Sequence, residues 1–329
     1  VQYWEGTAEV QHPPAPSVVT LGNFDGVHRG HQAVLKLVVD TAKQHDLMAV
    51  AVTFDPHPRL VHLPEEPLVP IVSLPQKMRL LEACELDATL VIHYTLDFAA
   101  QTAQQFVENI LVEALNARII VVGADTRFGA GNRGDIHTLR ELGKVHNFKV
   151  VEVDDVGESE RWSSTWVRET LTHGNVAQAS RILGRYHTVE GEIVHGHARG
   201  RELGFPTANF AASAQGMIPA DGVYAGWFTD ATGQRLPAAI SVGSNPTFND
   251  VVRTVEAHIF DRPTEESLEE FNLYGQHCKV EFVARLRGMT AFTGIDDLIA
   301  QMDQDVSDAR AILSGDAPAI DAPQPRGTS

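Results

Sequence analysis

Two histidines three residues apart, His28 and His31, stand in the segment LGNFDGVHRGHQ (21–32), among the glycines Gly22, Gly26 and Gly30. A β-rich run precedes this segment and a helical pattern follows it. The loop therefore leads into a helix N-terminus, where free N–H groups and the positive end of the dipole favour an anion. The glycines allow tight turns and close approach of a ligand. If helical geometry begins here, the two imidazoles share one face. They can then donate hydrogen bonds to triphosphate oxygens while charge builds in a transition state. Phosphoryl and nucleotidyl transfers rest largely on positioning and charge stabilisation, so no nucleophilic side chain is required. The pair also fits half of a metal site, although no third ligand stands at a familiar spacing, or two ordinary surface histidines.

Two further groupings carry polar chemistry. Arg161, Ser163, Ser164, Thr165 and Arg168 combine hydroxyls at a helix start with flanking guanidiniums. Helix capping alone would account for one hydroxyl, and the arginines offer bidentate phosphate donors. In GHARGRELGFPTAN (196–209), Gly200, Gly204 and Pro206 shape a bend ahead of Thr207 and Asn209. Two residues apart on an extended segment, these side chains face the same way. A hydroxyl and an amide oxygen so placed can ligate a hard cation such as Mg²⁺ beside ATP phosphates; a solvated turn before an edge strand is the alternative. Glu256, in the apolar run TVEAHIFD, can accept the proton of a substrate alcohol or can be the outward residue of an alternating strand. No G-x-x-x-x-G-K-[ST] occurs, which disfavours a P-loop enzyme.

The elements that would position these groups change character near residue 185. Val/Ile-rich runs at 17–24, 47–54, 88–94, 118–123 and 148–156 alternate with helical patterns at 30–46, 75–85, 102–115 and 134–146. Continuous apolar strands between helices predict a parallel sheet covered on both faces. Short helices at 163–174 and 175–184 follow, with Gly174 and Gly184 as C-terminal caps. Beyond them, short alternating segments punctuated by Gly, Pro, Asn and Asp predict antiparallel strands in a small barrel or sandwich, closed by an amphipathic helix at 294–315. The expected organisation is 1–185, 186–315 and a Pro/Ala-rich, disordered tail at 316–329.

Composition bounds the function. At about 150 residues per domain, 329 residues make about two domains, and 43% hydrophobic residues supply their cores. Lys plus Arg number 26 against 43 Asp plus Glu, a net charge of −17, which argues against a dedicated nucleic-acid binder. A few arginines and a helix N-terminus can still make a local anion site. No apolar run reaches the roughly 18–20 residues of a spanning helix. The opening VQYWEGTAEVQHPPAPS lacks the basic start and apolar core of a secretory signal. Cys84 and Cys278 read as buried thiols of a reduced protein rather than a disulfide. The expectation is a soluble, cytoplasmic protein with no membrane or nucleic-acid partner, its oligomeric state, homo-oligomer or not, left open.

GNFDGVHRGHQ, TFDPHP (53–58), VVGADTRFG (121–129) and RWSSTWVRE (161–169) together resemble the adenylyltransferase module of the bacterial bifunctional riboflavin kinase/FMN adenylyltransferases. GRELGFPTAN, GVYAGW (222–227), SVGSNPTF (241–248), VEAHIFD (255–261) and LYGQHCKVEFVARLR (273–287) resemble their riboflavin kinase module, in family order. The resemblance covers about residues 3–313. It implies a Rossmann-like nucleotidyltransferase sheet followed by a six-stranded antiparallel barrel with a terminal helix. It implies riboflavin, FMN, FAD, ATP, ADP and pyrophosphate as ligands, and Mg²⁺ in both reactions. His28 and His31 would contact ATP phosphates, and Arg161, Ser164 and Thr165 would form a serine loop. Gly22, Phe24, Gly26, Gly30, Phe54, Asp125, Phe128 and Arg168 would line the nucleotide and flavin pockets of that module. Thr207 and Asn209 would hold Mg²⁺–ATP and Glu256 would act as base, with Gly204, Pro206, Asn245 and Arg287 as binding residues. The chain departs from the family at Thr126, where many relatives carry Phe, and at GMTAF (288–292).

Overall fold

Most residues of the strands at 17–21, 48–55, 88–93 and 117–123 are buried, as a sheet covered on both faces requires. The structure, a computed structural model, describes residues 1–11, 14–66, 68–154, 161–196, 205–246, 251–261 and 273–315. The chain forms two compact units, Val1–Ser163 and Ser164–Ser329.

In the first unit β1 (Gln2–Glu5), β2 (Ser17–Leu21), β3 (Met48–Asp55), β4 (Ala88–His93), β5 (Ala117–Gly123) and β6 (Lys149–Val153) make one parallel sheet. Its order is β1-β4-β3-β2-β5-β6. Successive strand residues alternate between two cores. Val18, Ala49, Ala51, Ile119 and Val121 meet α1 (Arg29–His45) and α3 (Leu74–Glu82) on one face. Val19, Val50, Val52, Ile120 and Val122 meet α5 (Ala103–Phe106), its π-helical continuation Val107–Ala114, and α6 (Ile136–His146) on the other. Leu35, Val38, Val39 and Ala42 form the buried stripe of α1, at the i, i+3, i+4, i+7 spacing of an amphipathic helix. Two one-turn helices, α2 (Pro58–His62) and α4 (Leu96–Ala99), follow β3 and β4. From β2 the chain builds outward through β3 and β4 on one side and returns to β5 and β6 on the other. The order thus reverses between β2 and β5, and the crevice at their carboxyl ends is where open α/β sheets bind ligands.

The second unit opens with α7 (Ser164–Thr172) and α8 (Val176–Leu183). Gly174 and Gly184, with φ of 77° and 73°, follow the two helices in the left-handed conformation expected of C-terminal glycines. Six antiparallel strands then close a barrel in the order β10-β11-β8-β7-β12-β9. They are β7 (His187–Val194), β8 (Thr207–Phe210), β9 (Gly222–Thr229), β10 (Arg235–Pro246), β11 (Val251–Ile259) and β12 (His277–Arg287). Tyr224, Phe228 and Phe282 are the largest side chains fully buried in it. The final helix, α9 (Ile295–Ser314), packs its Ala309 and Ile312 with Ala225, Ala239 and Ala284, where small side chains let it lie close to the strands. The sequence reading missed β1. Its four residues bury only Trp4, and its partner β4 lies more than eighty residues away, so no local periodicity marks it. The 316–329 tail lies outside the described residues.

Candidate active sites

The loop leaving β2 reaches the crevice through a backbone that L-residues rarely adopt. Phe24 and Val27 have φ of 46° and 38°, and Gly26 between them has 78°. A β-branched residue in the left-handed region is strained, and such strain persists only where surrounding structure over-determines it. Phe24 and Val27 are almost wholly buried. The Asp25 carboxylate, also buried, accepts from the N–H groups of Ile71 (3.0 Å) and Val72 (3.3 Å). Lys77, on α3, donates from Nζ to the Asn23 carbonyl (3.3 Å), the Thr53 hydroxyl (3.2 Å) and the Phe54 carbonyl (3.1 Å).

This frame presents the histidine pair. His28 is the N-cap of α1, its Nδ1 accepting from the His31 N–H at 3.4 Å. The two rings stack with centroids 3.6 Å apart and planes 23° from parallel. Phe24 meets His31 edge-on at 5.3 Å, and Gly22 and Gly30 abut the rings of Phe24 and His28. His28 is buried, so the surface-histidine alternative fails. The His31 Nδ1 is buried with no hydrogen-bond partner among the described residues. Burial pushes the His31 pKa well below the usual imidazole value, and the neighbouring His28, Arg161 and Lys77 push it the same way. His31 is therefore neutral at pH 7, one ring nitrogen a donor and the other an acceptor. Among the described residues no group of three His, Cys, Asp or Glu could hold a metal, so a histidine metal centre finds no support there.

Arg161 donates to Asp125 at 2.7 Å just beyond β5, at the same end of the sheet. Phe54 and Phe128 are the ends of one run of aromatic rings. Phe54 meets Phe98 at 6.2 Å, Phe98 meets Phe106 at 6.2 Å, and Phe106 meets Phe128 at 5.6 Å. Tyr94 lies edge-on to Phe54 at 5.6 Å, its hydroxyl 2.9 Å from His62 Nε2. Ser164, Thr165 and Arg168 lie at the start of α7, in the second unit.

In the barrel, β8 and β11 pair so that Asn209 faces Glu256 and Thr207 faces His258. The Thr207 hydroxyl donates to Glu256 Oε2 at 3.4 Å, and Asn209 Nδ2 donates to Thr207 Oγ1 at 3.3 Å and to its carbonyl at 3.2 Å. Three residues singled out separately in the sequence thus converge. Gly196, two residues beyond β7, makes room for them, because a Cβ there would sit 2.5 Å from the Asn209 side-chain amide. The Pro206 carbonyl lies 3.0 Å from His258 Nδ1, fixing the approach to β8. Gly204 is outside the described residues, and of Asn245 only its backbone in β10 is described. Arg287 is held elsewhere than at these three. Its Nε and Nη2 make a two-pronged bond to Asp305 on α9, at 2.8 and 2.7 Å. Cys84 and Cys278 are free thiols, the first half-buried and the second buried, and burial lifts the Cys278 thiol to about 11.

Sequence reasoning missed Asp25 and Lys77, although each left a signal. Asp25 lies inside the histidine loop, and Lys77 lies one turn before buried Leu81 on the same helical stripe. Gly196 opens the segment singled out at 196–209, but only tertiary structure brings it to Asn209.

A family model described as FAD synthetase matches residues 10–166, and one described as riboflavin kinase matches residues 183–313. The chain is 34% identical over 310 residues to the bifunctional riboflavin kinase/FMN adenylyltransferase of Escherichia coli K12, covering 94% of this chain and 96% of that one. It is 35% identical over 303 residues to the protein of the same name from Listeria monocytogenes, with 90% and 92% covered. A crystal structure titled as a macrolide-efflux protein from Streptococcus pneumoniae superposes with a TM-score of 0.83 at 32% identity, covering 94% of this chain and 98% of that one. Among the described residues of the present chain, no helix is long and apolar enough to cross a membrane.

Proposed function

The chain belongs to the bifunctional riboflavin kinase/FMN adenylyltransferase family, and from that premise we propose that its two reactions divide between the two constellations. Riboflavin and ATP give FMN and ADP; FMN and a second ATP give FAD and pyrophosphate. The observation that carries the division is that His28 and His31 belong to one compact unit, and Thr207, Asn209 and Glu256 to the other. On this reading residues 1–185 serve adenylyl transfer, 186–315 serve riboflavin phosphorylation, and the product of the second is the substrate of the first.

In adenylyl transfer an FMN phosphate oxygen forms a bond to the α-phosphorus of ATP, and the bond to the β-phosphate oxygen breaks to release pyrophosphate. His28 and His31 hold the phosphates at the α1 N-terminus, and an N–H of the neutral His31 donates to an oxygen that gains charge. Arg161 adds a phosphate contact, which requires its release from Asp125; Ser164, Thr165 and Arg168 keep the serine-loop role that the resemblance implies. The ring run from Phe54 to Phe128 offers apolar and edge-on aromatic surface to a flavin, and Gly22, Phe24, Gly26 and Gly30 shape the loop beneath the nucleotide.

In phosphorylation Glu256 accepts the proton of the ribityl hydroxyl as its oxygen attacks the γ-phosphorus and ADP leaves. The oxygen donors of Thr207, Asn209 and Glu256 suit Mg²⁺, a hard cation that binds through a few protein oxygens together with substrate phosphates. When bound, Mg²⁺ neutralises phosphate charge; Thr207 and Asn209 would hold it after the amide turns its oxygen toward the hydroxyl. Gly204, Pro206 and Asn245 keep the binding role that the resemblance implies here, while Arg287 is held by Asp305. Two free thiols and dependence on ATP fit a cytoplasmic location.

Replacing His28 and His31 by Ala should abolish FAD formation from FMN while riboflavin is still phosphorylated. Glu256→Ala should do the reverse. Loss of both activities in either folded variant would contradict the division.

A further inference from the structure

Lys77 has no place in either reaction as described, yet it is among the few buried charged side chains of the protein, 8% exposed. An ammonium is buried only at considerable expense unless it is well paired. Its three bonds, to Asn23, Thr53 and Phe54, supply one acceptor for each of its three N–H donors. Those acceptors lie on the loop leaving β2 and at the end of β3, so one side chain ties the histidine loop to TFDPHP. Burial lowers the Lys77 pKa from the usual lysine value, and Asp25, itself anchored to the N–H groups of Ile71 and Val72 just ahead of α3, and Asp55 oppose that by favouring its charge.

We propose that Lys77 is a positioning residue for adenylyl transfer: it pins the histidine loop to the TFDPHP turn and fixes a positive charge beneath the pocket that receives the ATP triphosphate. This rests on assigning that reaction to His28 and His31. An ammonium held in this way cannot move to meet the ligand, so its field is preorganised and needs no rearrangement when the phosphates arrive. The charged or titratable groups acting on His31 are His28, Arg161 and Lys77. All three can carry positive charge and disfavour protonation of His31, keeping its ring neutral until an anionic ligand binds.

The test uses the full chain with Mg²⁺, measuring FAD formation from FMN and ATP and the reverse reaction from FAD and pyrophosphate. Lys77→Met removes charge and donors at similar volume; Lys77→Gln removes the charge but keeps an amide donor. Both should raise KM for ATP and for pyrophosphate about tenfold, the scale of one unit charge at short range in a partly screened site. Both should also move the limb of the pH profile governed by His31 upward by about half a unit, because removing a positive neighbour raises its pKa. Lys77→Gln should retain more kcat than Lys77→Met, since it still reaches a carbonyl. Riboflavin phosphorylation should be unchanged, and unfolding curves identify any variant that merely fails to fold. Folded variants with unchanged KM values and pH limb, beside an inactive His31→Ala, would overturn the role of Lys77. A fully active His31→Ala would overturn the site assignment, and this inference with it.

Discussion

The ion pair between Arg161 and Asp125 is made by side chains 47% and 61% exposed, a setting in which a pair is worth about 0–1 kcal/mol. A stability role for Arg161 is therefore small, and a phosphate role predicts a different phenotype. Arg161→Ala should leave the unfolding midpoint within about 2–4 °C of the parent, the shift that corresponds to about 1 kcal/mol in a chain of this size. FAD formation should fall about 100-fold, the scale of one removed transition-state donor. A large midpoint shift with FAD formation intact would return Arg161 to a structural part. In the barrel, His187 is fully buried, with Nε2 2.6 Å from the Met217 carbonyl, and burial lowers its pKa to about 4. The unfolded chain, with His near 6.5, binds more protons between those values. Stability is thus complete above pH 6.5 and falls as pH drops toward 4, by about 3 kcal/mol in all. Urea unfolding followed by a barrel probe at pH 7 and pH 5 should show the loss, and His187→Gln should flatten it. At this scale the sequence marked the candidate site residues, because glycines, histidines and hydroxyls cluster around them. It concealed Lys77 and His187, whose roles come from burial by distant segments.

Arg287 illustrates what an element-level reading adds. The resemblance implied a binding residue there; its guanidinium grips Asp305, which is only 5% exposed, and so fixes α9 to the end of β12. Breaking a buried pair from one side costs about 3–5 kcal/mol, and partial exposure of Arg287 puts this case at the lower end. Arg287→Met should lower stability by about that amount and speed amide exchange along α9. A variant with unchanged exchange in α9 but a raised KM for riboflavin would favour direct flavin contact. The five strands and four long helices expected before residue 163 all formed, and all but β6 have a buried run or stripe long enough to read. The one-turn helices α2 and α4 escaped, being too short for periodicity and set by single caps at His57 and Thr95. The barrel's closure was also beyond local pattern, since β9 meets β10 and β12 through pairings that hydrophobic alternation does not order.

For the whole molecule, a net charge of −17 coexists with a small positive neighbourhood of Lys77 and Arg161 around the histidine pair. The global balance argues against a general polyanion surface, and the local one suits an anion. Two chemistries in one chain were legible because each half carries its own polar constellation on its own architecture. The experiment that tests this account most directly follows riboflavin, FMN and FAD over time in a mixture of the purified chain, riboflavin, ATP and Mg²⁺. FMN should rise first and FAD should follow at its expense, with pyrophosphate released in step with FAD. A reaction that stops at FMN, and that yields no FAD when FMN and ATP are supplied directly, would contradict the assignment of adenylyl transfer to His28 and His31.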